Sequence, residues 1–283
     1  DNIIAELKVM ENVVVKNRSQ VFGYYDHNML VMSERVSDHL SETKKYSPKQ
    51  RLWYIRAKEV IISTGSIERP IVFGNNDTPG VVLSSAAKEY LKVYGVLVGK
   101  KPLIFTNNDS AYETAIEFKK NGITPIILDS RSNPESEIIN EAQNLDIKIK
   151  FSHVVVAANG YKKVKSAQIA KISEDKKNLI NTYNIACDCI CVSGFWTPTI
   201  HLASQSGNKT KYNENIDAFV PHKPKQAETT LGSANGIFTL EETLRTSFET
   251  ANEISKKITN KENKISIPQV SEKKSSAHDK FWC

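Results

Sequence analysis

Four things are scarce or missing in this chain of 283 residues, and each closes off a class of function. No apolar stretch reaches the roughly 20 residues that a membrane span needs. Asp1-Asn2 opens an amphipathic segment, not a basic and then apolar leader, so neither a membrane protein nor a secreted one is expected. There is no H-E-x-x-H and no nucleotide phosphate loop. Formal charge is +6, but the lysines are scattered in clusters no longer than Lys44-Lys45 and Lys162-Lys163, with no interleaved aromatics. That is a solvated surface, and no nucleic-acid partner is expected.

Cysteine is the fourth scarcity. Of four, three fall in Cys187-Asp-Cys-Ile-Cys191, at i, i+2 and i+4, which on a strand share one face. Zinc sites want C-x-x-C and a second pair elsewhere, and a secreted disulfide framework wants more, better spread cysteines. The three read as small apolar residues of a buried strand in a protein of the reducing cytoplasm. None of the six histidines stands in a catalytic spacing to a serine or cysteine.

What is present is a regular alternation of strand and helix patterns. Val13–Val15 and Val21-Phe22 read as short strands, 28–36 as another, and 37–50 as a polar hairpin loop. Leu52, Tyr54 and Arg56 alternate with Trp53, Ile55 and Ala57, a half-buried strand, and Val60-Ile61-Ile62 is then continuous, as in a fully buried parallel strand. That run stops at Thr64-Gly65, where a small residue and a glycine let backbone approach a ligand closely. Glu68 and Arg69 follow directly and are expected to pair with each other or with other groups, because unpaired charge behind a buried strand is costly. Asn75, Asn76 and Asp77 read as turn residues or as polar contacts at a cofactor or subunit edge. Residues 83–94 form a helix closed by Gly95.

A compact βαβ pattern comes next: a buried strand in KPLIFTN, a helix capped by Asp109 or Ser110 with Glu113 at capping-box spacing and closed by Gly122, and a second strand ending at Asp129. Its strand-to-helix turn holds Thr106, Asn107, Asn108, Asp109, Ser110 and Ala111. A dinucleotide turn needs glycine there, so this unit is not expected to bind a dinucleotide in the usual way, and Asp129 reads as a turn cap. Then come a helix at 134–145, strands in 147–160, an antiparallel hairpin, a buried strand ending at Gly194, and an irregular stretch at 210–230. Gly232, Ala234 and Gly236 open a long helix whose N-terminus can face a phosphate. From Thr259 the composition is that of a linker. The class is α/β with parallel sheet, which takes ligands at the carboxyl ends of its strands. No glycine-rich loop precedes the strand ending at Thr64-Gly65. The amphipathic opening (Ile3, Ile4, Leu7, Met10) and the aromatic end Phe281-Trp282 suggest a piece of a longer protein, truncated at both ends, and a poorly soluble one if made alone.

Several blocks together resemble a known family: RLWYIRAKEVIISTGSIERPIVFGNNDTPGVVLSSAAKEYLKVYGV, IFTNNDSAYETA, VSGFWTPTIHLASQSGNKTKYNE, AFVP and GSANGIF. They are similar to the alpha subunit of heterotetrameric sarcosine oxidase, over residues 1 to about 258. The resemblance implies a two-dinucleotide-binding-domain, flavoprotein-like fold of Rossmann type that holds NAD. It places part of the first dinucleotide domain at 1–98, an inserted second Rossmann-like domain at 99–185, a return segment at 186–258 and a linker at 259–283. The glycine-rich loop would lie upstream of Asp1. Val21 matches the strand position that meets the adenine, Thr64 and Gly65 the strand end beside the cofactor, and Ala234, Gly236 and Leu240 the segment closing over the dinucleotide. No catalytic residue or metal ligand is implied.

The resemblance further implies beta, gamma and delta partner subunits, with FAD and covalent FMN in the beta subunit and tetrahydrofolate in a carboxyl-terminal domain beyond this chain. The complex would oxidise a small amine, sarcosine, with oxygen to glycine, hydrogen peroxide and formaldehyde or 5,10-methylenetetrahydrofolate. Two alternatives stay open. One is a subunit of an amine, proline or opine dehydrogenase or of a hydrogen-cyanide synthase. The other is a non-catalytic dinucleotide-fold scaffold.

Overall fold

The structure is a computed structural model that describes residues 2–261, 266–271 and 275–280. The chain runs α1 (Asn2–Val9), β1 (Ser19–Tyr25), β2 (Met29–Arg35), β3 (Gln50–Arg56), β4 (Val60–Ile62) and β5 (Ser66–Glu68). Next come β6 (Val81–Leu83), α2 (Ser84–Tyr94), β7 (Pro102–Thr106), α3 (Ser110–Lys120), β8 (Ile126–Asp129), α4 (Glu137–Asn144) and β9 (Lys148–Phe151). Strands β10 (His153–Gly160), β11 (Val164–Ile172), β12 (Leu179–Ala186), β13 (Cys189–Ser193) and β14 (Trp196–Pro198) follow. The last part holds α5 (His201–Gln205), β15 (Lys209–Asn213), β16 (Ala218–Lys223), β17 (Glu228–Thr230), a 3-10 turn (Gly232–Asn235) and α6 (Leu240–Thr259).

These elements fall into two compact units. The first comprises Asp1–Gly65, Pro198–Asn213 and Phe219–Pro268, the second Ser66–Thr197, Glu214–Ala218 and Gln269–Cys283.

In the first unit β1, β2 and β3 form an antiparallel meander, with a register shift between Val21 and Gly23. β4 pairs in parallel with β17, Val60 opposite Glu228 and Ile62 opposite Thr230. A small core of Tyr24, Leu30, Val60, Ile62 and Ala203 joins them. Three sequence expectations change here. Val13–Val15 lie outside any strand, because only from Arg18 does the backbone find a partner in β2. Ile61 is 46 % exposed although its neighbours are buried, so β4 is covered by described residues on one face only. The stretch 210–230 is not irregular: it contains β16 and β17 and most of β15. β15 escapes a reading by alternation because it is solvated on both faces, with Lys209 to Tyr212 all exposed.

The second unit is built around a parallel sheet in the order β6-β13-β7-β8-β9. β6 is the edge strand of this sheet and pairs with β13, and α2 follows it directly. Alternate residues of β7 feed opposite layers. Leu103 and Phe105 pack with Val154, Ala167 and Ile169 of the antiparallel β10-β11-β12 sheet. Ile104 packs with Ala111, Ala115, Phe118 and Ile139 of α3 and α4. Coverage on both faces is why β7, β8 and β13 read as unbroken apolar runs. The three cysteines do not share a face. Cys187 precedes β13 and joins the layer toward β10–β12, whereas Cys189 and Cys191 join the helical layer. Burial pushes the Cys187 thiol up to about 12. All three thiols are buried and free, as expected of apolar core residues.

Helix ends follow the sequence closely. Gly95, at φ 65°, closes α2 and returns its N–H to Leu91. Gly122 follows α3 at φ 78°. Asp109 is the N-cap of α3, one of the two residues expected there, but its side chain makes no capping bond. Asn108 supplies the side chain, its Oδ1 accepting from Ser110 N at 3.0 Å and Ser110 Oγ at 2.6 Å, while Glu113 reaches Lys88 instead of turning back.

Candidate functional site

The carboxyl ends of β4 and β17 bring together most of the residues singled out in the first unit. Thr64 Oγ1 donates to Thr199 O at 2.7 Å, and the Gly65 carbonyl accepts from Thr199 N at 3.0 Å. Gly65 sits at φ 75°, a left-handed backbone that a side chain strains. A Cβ placed there would meet only Ser233 Oγ, 4.0 Å away, so the strand end faces open space on one side and the 3-10 turn on the other. Leu231 N donates to Ile62 O at 2.9 Å and fixes that turn beside β4. Gly232 (φ 62°) and Gly236 (φ 77°) bound the turn, and Ala234 inside it is fully buried. Thr230, the last residue of β17, carries a buried hydroxyl with no partner among the described residues.

Val21 packs, half-buried, against the core that holds Val60 and Ile62. Leu240 opens α6 and is 52 % exposed. The glycines at 232 and 236 do not open α6 directly. The helix starts four residues later, where Thr239 accepts from Glu242 N and Glu241 and Glu242 occupy the first turn. Two carboxylates at the positive end of the helix disfavour a phosphate there, so any phosphate contact falls to the 3-10 turn. The set is made of backbone groups, hydroxyls and left-handed glycines, without a base or nucleophile. It can hold and orient a ligand. A dinucleotide laid along a strand end fits this donor set and the unpaired Thr230 hydroxyl, although the glycine-rich phosphate turn is not among the residues of this sequence.

The second unit has its own strand-end cluster. Asp129, fully buried, accepts from Arg131 N at 3.0 Å, the turn contact expected of it. It also takes Arg131 Nη2 at 2.7 Å and the Tyr112 hydroxyl at 2.7 Å. Arg131 Nη1 lies 2.8 Å from Asp109 Oδ1, so one buried guanidinium joins two carboxylates. These partners raise the Arg131 pKa against the opposing effect of burial, and burial with Asp129 nearby raises that of Tyr112. Sequence reading missed Arg131. The available signal was an arginine two residues beyond a buried strand that ends in aspartate. The glycine-free turn is closed on itself: Thr106 Oγ1 donates to Asn108 O, and Asn108 Nδ2 reaches Ser193 O and Oγ.

Glu68 and Arg69 find separate partners. Glu68 accepts from Ser85 N (2.7 Å) and Ser85 Oγ (2.6 Å) at the start of α2, while Arg69 donates to Thr197 Oγ1, Trp196 O and Ile216 O. Asn75 adopts φ 57°, accepts from Thr78 N and donates to Ala158 O, which makes it a turn residue.

No protein-family model matches the chain. The sarcosine oxidase subunit alpha of Rhizobium meliloti (strain 1021) is 35 % identical over 231 residues, 81 % of this chain and 22 % of that protein. That of Corynebacterium sp. (strain P-1) is 33 % identical over 241 residues, 84 % of this chain and 25 % of that protein. This chain is a relative of the sarcosine oxidase alpha subunit. It spans about a quarter of the length of these relatives.

Among solved structures, L-proline dehydrogenase from P. horikoshii superposes with a TM-score of 0.62 at 20 % identity, covering 95 % of this chain and 50 % of that one. The flavoprotein disulfide reductase RclA from Escherichia coli gives 0.58 at 16 %, covering 91 % and 53 %. At such identities the likeness concerns the fold alone, an α/β architecture of Rossmann type. Among the described residues no helix is long and apolar enough to cross a membrane.

Proposed function

We propose that this chain is the NAD-binding portion of a sarcosine-oxidase-type alpha subunit, and that NAD lies along the carboxyl ends of β4 and β17. The observation that carries the reading is the identity to sarcosine oxidase alpha subunits over more than four-fifths of the chain. It is supported by the way Thr64, Gly65, Ala234 and Gly236 converge on one open strand end. NAD, when bound, is a hydride carrier. The part of this chain is to hold and orient it: Gly65 by giving close approach, the 232–236 turn by its backbone groups, Thr230 by its free hydroxyl, Val21 and Leu240 by apolar contact. None of these residues moves a proton, so the role in catalysis is indirect.

On this reading the reaction belongs to a complex with beta, gamma and delta subunits, the beta subunit carrying FAD and covalent FMN. Sarcosine is oxidised with oxygen to glycine and hydrogen peroxide, and the one-carbon unit leaves as formaldehyde or passes to tetrahydrofolate in a further domain. A second reading, consistent with the fold-level likeness to L-proline dehydrogenase, is a dehydrogenase subunit whose electrons pass to an acceptor other than oxygen. The test is made on the complex purified with its partner subunits. Non-covalent ligands are released and identified by mass, and amine-dependent peroxide is measured. NAD together with sarcosine-dependent peroxide is the expected result. Dye reduction without peroxide would favour the dehydrogenase, and a complex free of nucleotide a scaffold.

A further inference from the structure

In an open parallel sheet the crevice at the carboxyl ends of the strands is where a nucleotide binds. In the second unit the chain's own segment Ser276–Lys280 lies there. Ser276 N donates to Asp109 Oδ2 at 2.7 Å, and Ser276 Oγ donates to Glu135 O at 2.8 Å. Arg131 Nη1 donates to Ala277 O at 3.2 Å. Asp279 is held by its main chain: its N–H donates to Asn107 O at 3.0 Å, and its carbonyl accepts from Asn107 Nδ2 at 2.7 Å. Between these anchors the His278 ring stacks on Phe195, centroids 4.1 Å apart and planes 7° from parallel, with Nε2 3.3 Å from Asp217 Oδ2. Lys280 meets Asp217 Oδ1 at 3.2 Å, and Lys176 meets Asp279 at 2.9 Å.

The partners come from three neighbouring strand ends. Asn107 and Asp109 lie in the turn after β7, Arg131 and Glu135 in the loop after β8, and Phe195 just after β13. These are the places from which a Rossmann-type sheet addresses a dinucleotide, and the peptide satisfies their polar groups one by one. The charge also suits a peptide better than a phosphate. The Arg131 cation is already shared by Asp129 and Asp109, and the first N–H of α3, that of Ser110, is met by Asn108.

We propose that Ser276–Lys280 is a built-in peptide ligand of the second unit: it closes that sheet's nucleotide crevice and makes the unit a holder of this segment instead of a dinucleotide site. This does not depend on NAD binding in the first unit, and the test reads the two separately. Hydrogen–deuterium exchange is followed on the complex purified with its partner subunits, without added nucleotide and with NADH, NADPH or ADP at about 1 mM. The Ser276 and Asp279 amides are expected to exchange at least roughly tenfold more slowly than in the isolated peptide, whichever nucleotide is present. Replacing 276–280 by a glycine–serine stretch of equal length should speed exchange over 106–110 and 129–135 and leave 164–172 protected. His278→Ala, which spares every backbone bond of the segment, should loosen 276–280 by a smaller factor and serves if the replacement fails to fold. Exchange of Ser276 and Asp279 at the isolated-peptide rate would overturn the proposal. So would a nucleotide that speeds exchange in 276–280 while slowing it in 106–110, because the segment would then be a displaceable lid over a working nucleotide site.

Discussion

Glu68 is a carboxylate whose pKa burial raises. It is 4 % exposed, and desolvation raises its pKa above the ordinary 4.5 despite the bonds from Ser85 and the contribution of Ser193. A folded-state pKa above the unfolded one means that the native state binds this proton more tightly. The contribution to stability is therefore fully present below about pH 4.5 and is lost as pH rises through the folded value. Glu68→Gln keeps an acceptor for Ser85 N and removes the buried charge. It should leave Tm at pH 7 unchanged or higher and flatten this part of the pH dependence, as thermal melts from about pH 4 to 8 would show. Glu68→Ala leaves the Ser85 N–H unpaired and should cost about 1–3 kcal/mol. His278 shifts the other way: burial lowers its pKa despite Asp217, with Arg69 and Lys280 adding to the lowering. A depressed histidine contributes stability above its unfolded value of about 6.5 that fades as pH falls below it, so acidification should lower the protection of 276–280, measured as exchange relative to the isolated peptide at the same pH. At Gly65, a Cβ at φ 75° is strained even though space is open. Gly65→Ala should cost about 1–2 kcal/mol and lower the NAD released per mole of complex.

At the scale of elements, β8 and α3 are joined by a charge cluster as well as by apolar packing. Arg131 lies buried between Asp129 and Asp109, with Tyr112 on Asp129. Removing one member of a buried ion set strands the others, so Arg131→Met should destabilise the second unit by about 3–5 kcal/mol. Adding Asp129→Asn should recover part of that loss, and urea unfolding of the two singles and the double measures the coupling. The elements themselves were largely legible. α2 ends at Gly95 and β7, β8 and β13 are buried runs, because capping chemistry and two-sided burial leave local marks. β15 was not legible, since a strand exposed on both faces has no alternation. The cap position of α3, Asp109, was legible, but the side chain that bonds there was not, because Asn108, Asp109 and Ser110 are all good capping residues and only the folded turn selects one.

For the whole molecule, the two units differ in how much core they own. The second has a layer of apolar packing on each face of its parallel sheet, whereas the first has one small cluster beneath its meander. Amides of β7, β8 and β13 should therefore exchange much more slowly than those of β1–β4. Among the described residues α1 and α6 bury no side chain fully, and Tyr54 on β3 is 70 % exposed. The chain produced alone should bind a hydrophobic dye and aggregate, and co-expression with the partner subunits should suppress both. A sharp two-state melt of the isolated chain would contradict this.

The sequence alone determined the α/β class, the glycine-free turn after β7, the strand end at Thr64-Gly65 and the resemblance to sarcosine oxidase alpha subunits. Each of these depends on residues adjacent in the chain, where periodicity, a missing Cβ or a contiguous motif can be read directly. Only the tertiary structure decided that Arg131 bridges Asp109 and Asp129, that Cys187 packs on the opposite layer from Cys189 and Cys191, and that Ser276–Lys280 lies across the strand ends of the second unit. These contacts join groups 22 residues apart for Arg131 and Asp109 and 172 residues apart for Asn107 and Asp279. No local pattern records such a pairing, because it arises only when the sheet brings its strand ends to one edge.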